Sequence, residues 1–150
     1  FIDGASEINP YAFYHWSLID IFIYFSHYMI TIPPFGWTNA AHKHGVKILG
    51  TLITEHKNGE KVWDEILQSL EETKKFADAL VTLTKHYGFE GWLLNIENKI
   101  QVEHIDMLKF FIKYLTDNLH RNNKDAEIIW YDSVIMDGTL KWQNELNEKN

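Results

Sequence analysis

Cysteine is absent from the 150 residues of the chain. This excludes a disulfide framework, and it excludes a thiolate as nucleophile or metal ligand. Such a chain is compatible with a reducing compartment. Metal-ligand spacing is also missing: His42 and His44 lie two positions apart on a predicted helix and face different ways, unlike an i, i+4 ligand pair. We therefore predict no metal site.

Positive charge is scarce as well. The 14 Lys and Arg residues are outnumbered by 21 Asp and Glu residues, and the formal net charge is −7. Nucleic-acid binding draws most of its affinity from clustered basic side chains, and the sequence has no basic stripe. We therefore predict no nucleic-acid partner.

Long apolar runs are missing too. The longest, Leu18–Phe25, is interrupted by Asp20 and is far too short to cross a hydrocarbon core of about 30 Å, so no membrane insertion is expected. The chain begins with Phe1 and carries no basic-then-apolar signal segment. We expect its true start to have been removed or to lie upstream, so that the sequence is an excerpt.

Apolar and aromatic residues are abundant. Hydrophobic residues make up 45% and aromatic residues 15% of the chain, which is enough for one substantial core. One domain, or part of one, is expected. The 6 Trp, 7 Tyr and 9 Phe exceed what a small core usually needs, and aromatic rings commonly bind the apolar faces of sugars.

Short β-branched and aromatic runs alternate with longer amphipathic stretches, a pattern typical of repeated βα units and a parallel sheet. The predicted strands are Ile19–Phe25, Val46–Thr54, Gly91–Ile96 and Glu127–Asp132. These runs are apolar on both faces, as expected of buried parallel strands. Four such units are half of a (β/α)8 barrel, so the predicted fold class is α/β, a TIM barrel of which the chain covers about half.

Apolar spacing of three and four residues predicts the helices between the strands. Two helices are expected between Trp63 and Leu83, before Gly88, and one between Ile105 and Leu119. A shorter helix is predicted at Thr38–His44, and Leu140–Asn150 is interpreted as the start of another.

The sequence Asn95-Ile96-Glu97-Asn98 at the end of the third strand is the sharpest local feature. Residues two apart on a strand point to the same face, so Asn95 and Glu97 are expected to project together, at the strand end where barrel active sites lie. Partial burial among aromatic rings favours the neutral carboxylic acid, which can then protonate a leaving oxygen. The alternative is that the pair merely ends the strand and caps the next helix.

A glycosidase normally has a second carboxylate about 5–10 Å from the acid. Position 95 offers an amide, which fits a substrate-assisted reaction in which the sugar's own 2-acetamido group attacks and Asn95 holds that group. Asp132 and Glu55 are the possible second carboxylates, and Asp132 is expected to point away from Tyr131 on its strand.

Two further residues are candidates for sugar contact. His27, just past the first strand, is expected on the active face. Trp37, in the loop after that strand, is placed to stack on a sugar or to cover a helix end.

Six stretches of the sequence carry a resemblance to a known family. They are Tyr11–Ser26 (YAFYHWSLIDIFIYFS), Ile32–His42 (IPPFGWTNAAH), Gly45–Glu55 (GVKILGTLITE), Gly91–Asn98 (GWLLNIEN), Trp130–Ser133 (WYDS) and Leu140–Asn147 (LKWQNELN). In this order they resemble the cytosolic-type endo-β-N-acetylglucosaminidases of glycoside hydrolase family 85. The similarity covers nearly the whole chain.

The resemblance implies a (β/α)8 barrel that cleaves between the two core N-acetylglucosamines of N-glycans with retention of configuration, without metal or organic cofactor. It implies a cytosolic location, with N-linked glycans, free oligosaccharides and glycopeptides as partners. The family's oxazoline-promoting Asn falls on Asn95, its acid/base on Glu97, its active-site Tyr on Tyr131 and a groove aromatic on Trp142. Residues 1–150 are then a partial barrel domain without its first and later strands.

Two other functions are compatible with the same residues. An inactive barrel fragment that only binds glycans keeps the groove without the reaction. A chitinase-like hydrolase cleaves chitin oligomers, but that family's run of aspartates before the catalytic Glu is absent here.

Overall fold

The computed structural model describes residues 12–150. The strands of this part of the chain are β1 (Ile21–Ile23), β2 (Ile30–Thr31), β3 (Lys47–Glu55), β4 (Gly91–Glu97) and β5 (Glu127–Trp130). The α-helices are α1 (Phe35–Lys43), α2 (His56–Leu67), α3 (Leu70–Tyr87) and α4 (Ile105–Asn122).

The sheet is built from parallel strands in the order β1-β3-β4-β5. Helix α1 lies between β1 and β3 in the chain, α2 and α3 lie between β3 and β4, and α4 lies between β4 and β5. This is the predicted succession of βα units. The α/β half-barrel expected from the apolar periodicity is therefore confirmed.

The two faces of β4 differ in chemistry. Trp92, Leu94 and Ile96 are fully buried, and the Trp92 indole donates to Thr84 of α3 over 2.8 Å, so these alternate residues face the helix layer. The other residues of β4 point away from the helices because side chains alternate along a strand. Asn95 and Glu97 therefore project on the barrel-interior side.

Helices α2 and α3 are separate, as predicted. Helix α3 begins where Ser69 accepts a hydrogen bond from the Glu72 N–H, a favourable N-cap. It ends at Gly88, whose φ of 69° is a left-handed conformation that glycine adopts without steric cost. The long helix predicted between Ile105 and Leu119 is α4.

The first predicted strand is too long. Within this predicted strand, Ile21–Ile23 pairs with β3. After Tyr24 the chain turns back, and β2 pairs with the same edge of β3 in the antiparallel direction, with Ile30 opposite Leu52. The fourth strand also ends early, at Trp130 rather than Asp132.

The helix predicted at Leu140–Asn150 is wrong. This segment has turns and no helix. The Asp132 carboxylate accepts the backbone N–H groups of Gln143 and Asn144, and Asn144 has a φ of 58°, which a right-handed helix does not allow. Contacts from a distant carboxylate thus override the local apolar spacing.

No helix within residues 12–150 combines the length and apolar character needed to cross a membrane.

Candidate active site

Asn95 and Glu97 lie side by side at the carboxyl end of β4. The Asn95 amide Nδ2 donates to the Glu97 carboxylate Oε1 over 2.8 Å. Asn95 is 3% exposed, whereas Glu97 is only partly buried. An amide nitrogen has two N–H groups, so the one not directed at Glu97 can serve a ligand. The structure therefore places an amide and a carboxyl group in one arrangement open to the barrel interior.

Glu55 is next to this pair. It is the last residue of β3 and lies in register with Glu97, the last residue of β4. Neighbouring strands are about 4.8 Å apart, so the two carboxylates leave the sheet as neighbours. His27 Nδ1 lies 3.2 Å from Glu55 Oε2. The loop between β1 and β2 thereby joins the site, and the structure brings His27, Glu55, Asn95 and Glu97 together.

Tyr131 and Trp142 lie on the opposite side of β4, beyond the end of β5. The Tyr131 N–H donates to the Leu94 carbonyl over 3.0 Å, which keeps Tyr131 beside β4. The Trp142 indole Nε1 donates to the Tyr131 hydroxyl over 3.2 Å. Trp142 is 46% exposed, so its ring has a free face. Glu97 thus ends the strand between β3, which carries Glu55 and its partner His27, and the end of β5, which leads to Tyr131 and its partner Trp142.

Asp132, one of the two possible second carboxylates, binds the C-terminal segment of the chain. Its Oδ2 accepts from the backbone N–H groups of Gln143 and Asn144, and its Oδ1 accepts from the Asn150 side chain over 2.8 Å. The Asn150 hydrogen bond and then these backbone donors hold the Asp132 pKa below its usual value. Asp132 therefore fastens the segment that carries Trp142.

Trp37 belongs to a different region. It lies in the first turn of α1 rather than in a loop, and its half-buried ring stacks on Phe22 with centroids 5.0 Å apart and planes at 13°. Trp16 and Tyr24 also contact it. The Trp37 ring thus packs between α1 and β1 and is not joined to the Asn95–Glu97 group.

Sequence reasoning missed two buried polar residues near Glu97. Ser133 is fully buried, and its hydroxyl donates to the carbonyl of Ile96, the residue before Glu97. Asn98, the residue after Glu97, is 2% exposed. Each follows other polar residues at a strand end, in Asn95-Ile96-Glu97-Asn98 and in Tyr131-Asp132-Ser133, and no local pattern distinguishes a buried side chain there from an exposed one.

Metal ligation has no counterpart in the described residues: nowhere in 12–150 do three His, Asp or Glu side chains gather in a way that could hold an ion. The side chains at the ends of β3, β4 and β5 supply two carboxyl groups, an amide, an imidazole, a phenol and an indole.

The half-barrel is similar to solved glycoside hydrolases. The glycoside hydrolase domain of Endo-D from Streptococcus pneumoniae R6 superposes with a TM-score of 0.80 at 24% identity, over 98% of this chain and 24% of that one. A chitinase from Rhizomucor miehei superposes with a TM-score of 0.54 at 19% identity, over 71% of this chain and 39% of that one. At these identities the likeness shows the fold alone.

Sequence comparison is more specific. Proteins named cytosolic endo-beta-N-acetylglucosaminidase are 51% identical over 150 residues in Danio rerio and 48% identical over 151 residues in Homo sapiens, and each match covers 100% of this chain. A relative named cytosolic endo-beta-N-acetylglucosaminidase 2 from Arabidopsis thaliana is 46% identical. The chain spans about a fifth of these relatives, between 20% and 21% of their length. The family model for glycosyl hydrolase family 85 matches residues 1–150, so the chain belongs to that family.

Proposed function

We propose that the protein containing this chain is an endo-β-N-acetylglucosaminidase that hydrolyses the β-1,4 bond between the two N-acetylglucosamines of the N-glycan chitobiose core. Membership of the family supports the reaction class. The observation that carries the assignment of residues is the 2.8 Å hydrogen bond from Asn95 to Glu97 on the open face of β4. Residues 1–150 are part of one barrel domain in this proposal.

The first step forms a cyclic intermediate from the substrate. Glu97, as the acid, donates its proton to the glycosidic oxygen, and the C–O bond to the departing N-acetylglucosamine breaks. The carbonyl oxygen of the 2-acetamido group attacks the anomeric carbon and forms an oxazolinium ring. The free N–H and carbonyl of the Asn95 amide orient the acetamide, so this group acts as the internal nucleophile and no second protein carboxylate is needed.

The second step opens the ring. Glu97, now a carboxylate, removes a proton from water, and the oxygen attacks the anomeric carbon on the face the leaving group vacated. The ring C–O bond breaks, the acetamide is restored, and Glu97 is protonated again. Two inversions at the same carbon give net retention.

The neighbouring residues bind and orient the sugar in this scheme. Tyr131 follows β5, the strand next to β4, and is assigned to the acid from that side, and Trp142 offers its exposed ring face to a sugar. Glu55 and His27 offer hydrogen bonds to hydroxyl groups on the β3 side. Trp37 is assigned to packing because both its position in α1 and its stacking on Phe22 engage the ring in the core.

The substrates that fit this site are N-linked glycans, free oligosaccharides with the same core, and glycopeptides. The relatives from Danio rerio and Homo sapiens are named as cytosolic, and we infer the cytosol for this protein. The described site supplies acid, base and acetamide-binding groups from its own side chains, and the proposed reaction uses no cofactor.

Incubation of the full-length protein with a high-mannose glycopeptide tests the function. Mass spectrometry is expected to show a peptide that retains one N-acetylglucosamine, together with the released glycan. The Glu97→Gln variant serves as the control and should leave the glycopeptide intact, because an amide is too weak an acid to transfer a proton to the leaving oxygen. An unchanged glycopeptide mass with the wild-type protein contradicts the proposal.

A further inference from the structure

We propose that Asn98 is a positioning residue, whose buried amide sets the place of the Glu97 carboxylate through contact with Gly59 of α2. The inference rests on the proposed function, since it assigns Asn98 a part in the same reaction. Asn98 touches neither substrate nor reacting atoms in this scheme. Its effect passes through the end of β4.

The Asn98 side chain is only half satisfied. Its Nδ2 donates to the Lys99 carbonyl over 3.0 Å, which forms a tight local turn directly after β4. Its Oδ1 is buried and has no hydrogen-bond partner among residues 12–150. Burying an unpaired amide oxygen costs folding free energy, so this group lowers stability where it stands.

Gly59 is the neighbour of that oxygen. A β-carbon at position 59 would overlap Oδ1 of Asn98 and would also crowd the backbone of Thr54. The absence of a side chain at Gly59 therefore lets the Asn98 amide lie directly against the first turns of α2. Helix α2 begins immediately after Glu55, so this contact joins the ends of β3 and β4.

The contact lies between the two segments that carry the site's carboxyl groups. Glu55 ends β3, Glu97 ends β4, and the two are in register. A shift of Asn98 relative to Gly59 therefore moves the end of β4, which carries Glu97, relative to the start of α2, which follows Glu55. Stability alone does not explain why position 98 carries an amide, since Leu has nearly the same shape and no oxygen to leave unpaired. A role of Asn98 in placing the Glu97 carboxylate does explain it.

Asn98→Leu in the full-length protein tests the inference. The kcat for a chitobiose-core glycopeptide is expected to fall between about tenfold and a hundredfold, because Leu fills the same space but cannot donate to the Lys99 carbonyl, so the turn that holds the end of β4 against Gly59 is released. KM should stay unchanged, and the melting temperature should not fall. Because Glu97 acts in both steps, hydrolysis of a pre-formed sugar oxazoline should fall by the same factor as hydrolysis of the glycopeptide.

Asn118→Leu is the matched control. Asn118 lies on α4, and its Nδ2 likewise donates to a backbone carbonyl, that of Tyr114. This variant loses the same kind of hydrogen bond away from β4, together with one accepted from Arg121, and should keep the wild-type kcat. A wild-type kcat in Asn98→Leu, a loss restricted to the glycopeptide, or an equal loss in Asn118→Leu overturns the inference.

Gly59→Ala tests the same contact from the other side. Alanine is the better helix former, so a fall in kcat cannot be ascribed to a weaker α2. Combining it with Asn98→Ala removes the overlap with the amide and leaves only the milder contact with the Thr54 backbone, so the double variant should be no slower than Asn98→Ala alone. A wild-type kcat in Gly59→Ala contradicts the inference. The proposed function has a separate readout, which is cleavage by the wild-type protein.

Discussion

Polar side chains around the carboxyl end of β4 differ in how their hydrogen bonds are satisfied. Asn95 donates to Glu97, and Ser133 donates to the carbonyl of Ile96. Asn98 leaves one oxygen unpaired. Three interactions therefore surround Glu97. Asn95 binds its carboxylate, Ser133 binds the carbonyl of the residue before it, and the residue after it, Asn98, packs against Gly59.

Ser133→Ala is expected to destabilise the protein by about 1–3 kcal/mol, because the Ile96 carbonyl loses its buried donor and cannot reach water. Urea denaturation measures the effect as a lower midpoint with an unchanged m-value. Ser17→Ala, at an exposed position, is the control and should change the free energy of unfolding little. Equal midpoints for the two variants would show that the Ser133 hydroxyl contributes nothing there.

Asp132 gives the C-terminal segment a dependence on pH. Its folded pKa is held low by the Asn150 side chain and by the backbone N–H groups of Asn144 and Gln143. A lowered folded pKa means that the stabilisation is present above the unfolded value of about 3.9 and is lost as the pH falls through the folded pKa. Hydrogen exchange followed by NMR should show that the backbone N–H groups of Gln143 and Asn144 are protected at pH 6 and lose this protection in acid.

Asp132→Ala should remove that protection already at pH 6. Asp137→Ala is the control, because its carboxylate accepts hydrogen bonds from Thr139 in its own turn and its loss should leave the backbone N–H groups of Gln143 and Asn144 protected. Protection in the Asp132 variant equal to that of the wild type would disprove this role of the carboxylate.

Among the elements, strand β4 makes close contacts with its neighbours at its first residue, Gly91, as well as at its last, Glu97. Gly91 has a φ of 144°, and a β-carbon there would overlap the Glu127 carbonyl of β5. Lys47 of β3 crosses β4 beside Gly91, and its Nζ donates to Glu127 Oε1 of β5 over 2.7 Å. That hydrogen bond raises the Lys47 pKa. The missing side chain at Gly91 lets the backbone of β5 approach β4 closely where both strands begin.

Gly91→Ala is expected to lower the free energy of unfolding by clearly more than about 1 kcal/mol, since the strain of a positive φ is joined by a steric clash with β5. Gly45→Ala is the matched control: Gly45 also has a positive φ, of 73°, but a β-carbon there meets no described atom within 4 Å. Chemical denaturation compares the two variants. Equal losses of stability would mean that the close approach to Glu127 is unimportant.

Elements with a strong period could be predicted from sequence, and elements defined by distant contacts could not. The buried strands β3, β4 and β5 and the amphipathic α3 and α4 carry their own apolar signal. Strand β2 has two residues and no period to detect. The segment Leu140–Asn150 has helical spacing, but Asp132 captures its backbone N–H groups from ten or more residues away.

At the scale of the whole molecule, the site is assembled from the ends of adjacent parallel strands. Strand alternation alone was enough to predict that Asn95 and Glu97 share a face. The roles of Tyr131 and Trp142 could be proposed only from the resemblance, because their pairing depends on a loop whose path has no local signal. For Trp37 the sequence left both a sugar contact and a packing role open, because an aromatic residue near a strand end suits both a groove and a core.

The contact between Asn98 and Gly59 was beyond sequence reasoning for a related reason. It joins residues 39 positions apart in the chain, and it depends on helix α2 starting directly after Glu55. Neither residue is unusual by itself. Only the fold shows that the missing side chain of one makes room for the buried amide of the other.

The most direct measurement compares two substrates in one variant. Asn95→Ala in the full-length protein is assayed on a chitobiose-core glycopeptide and on the corresponding pre-formed sugar oxazoline. If Asn95 orients the acetamide for ring formation, hydrolysis of the glycopeptide falls much further than hydrolysis of the oxazoline, in which the ring already exists. Equal loss on both substrates would contradict the account.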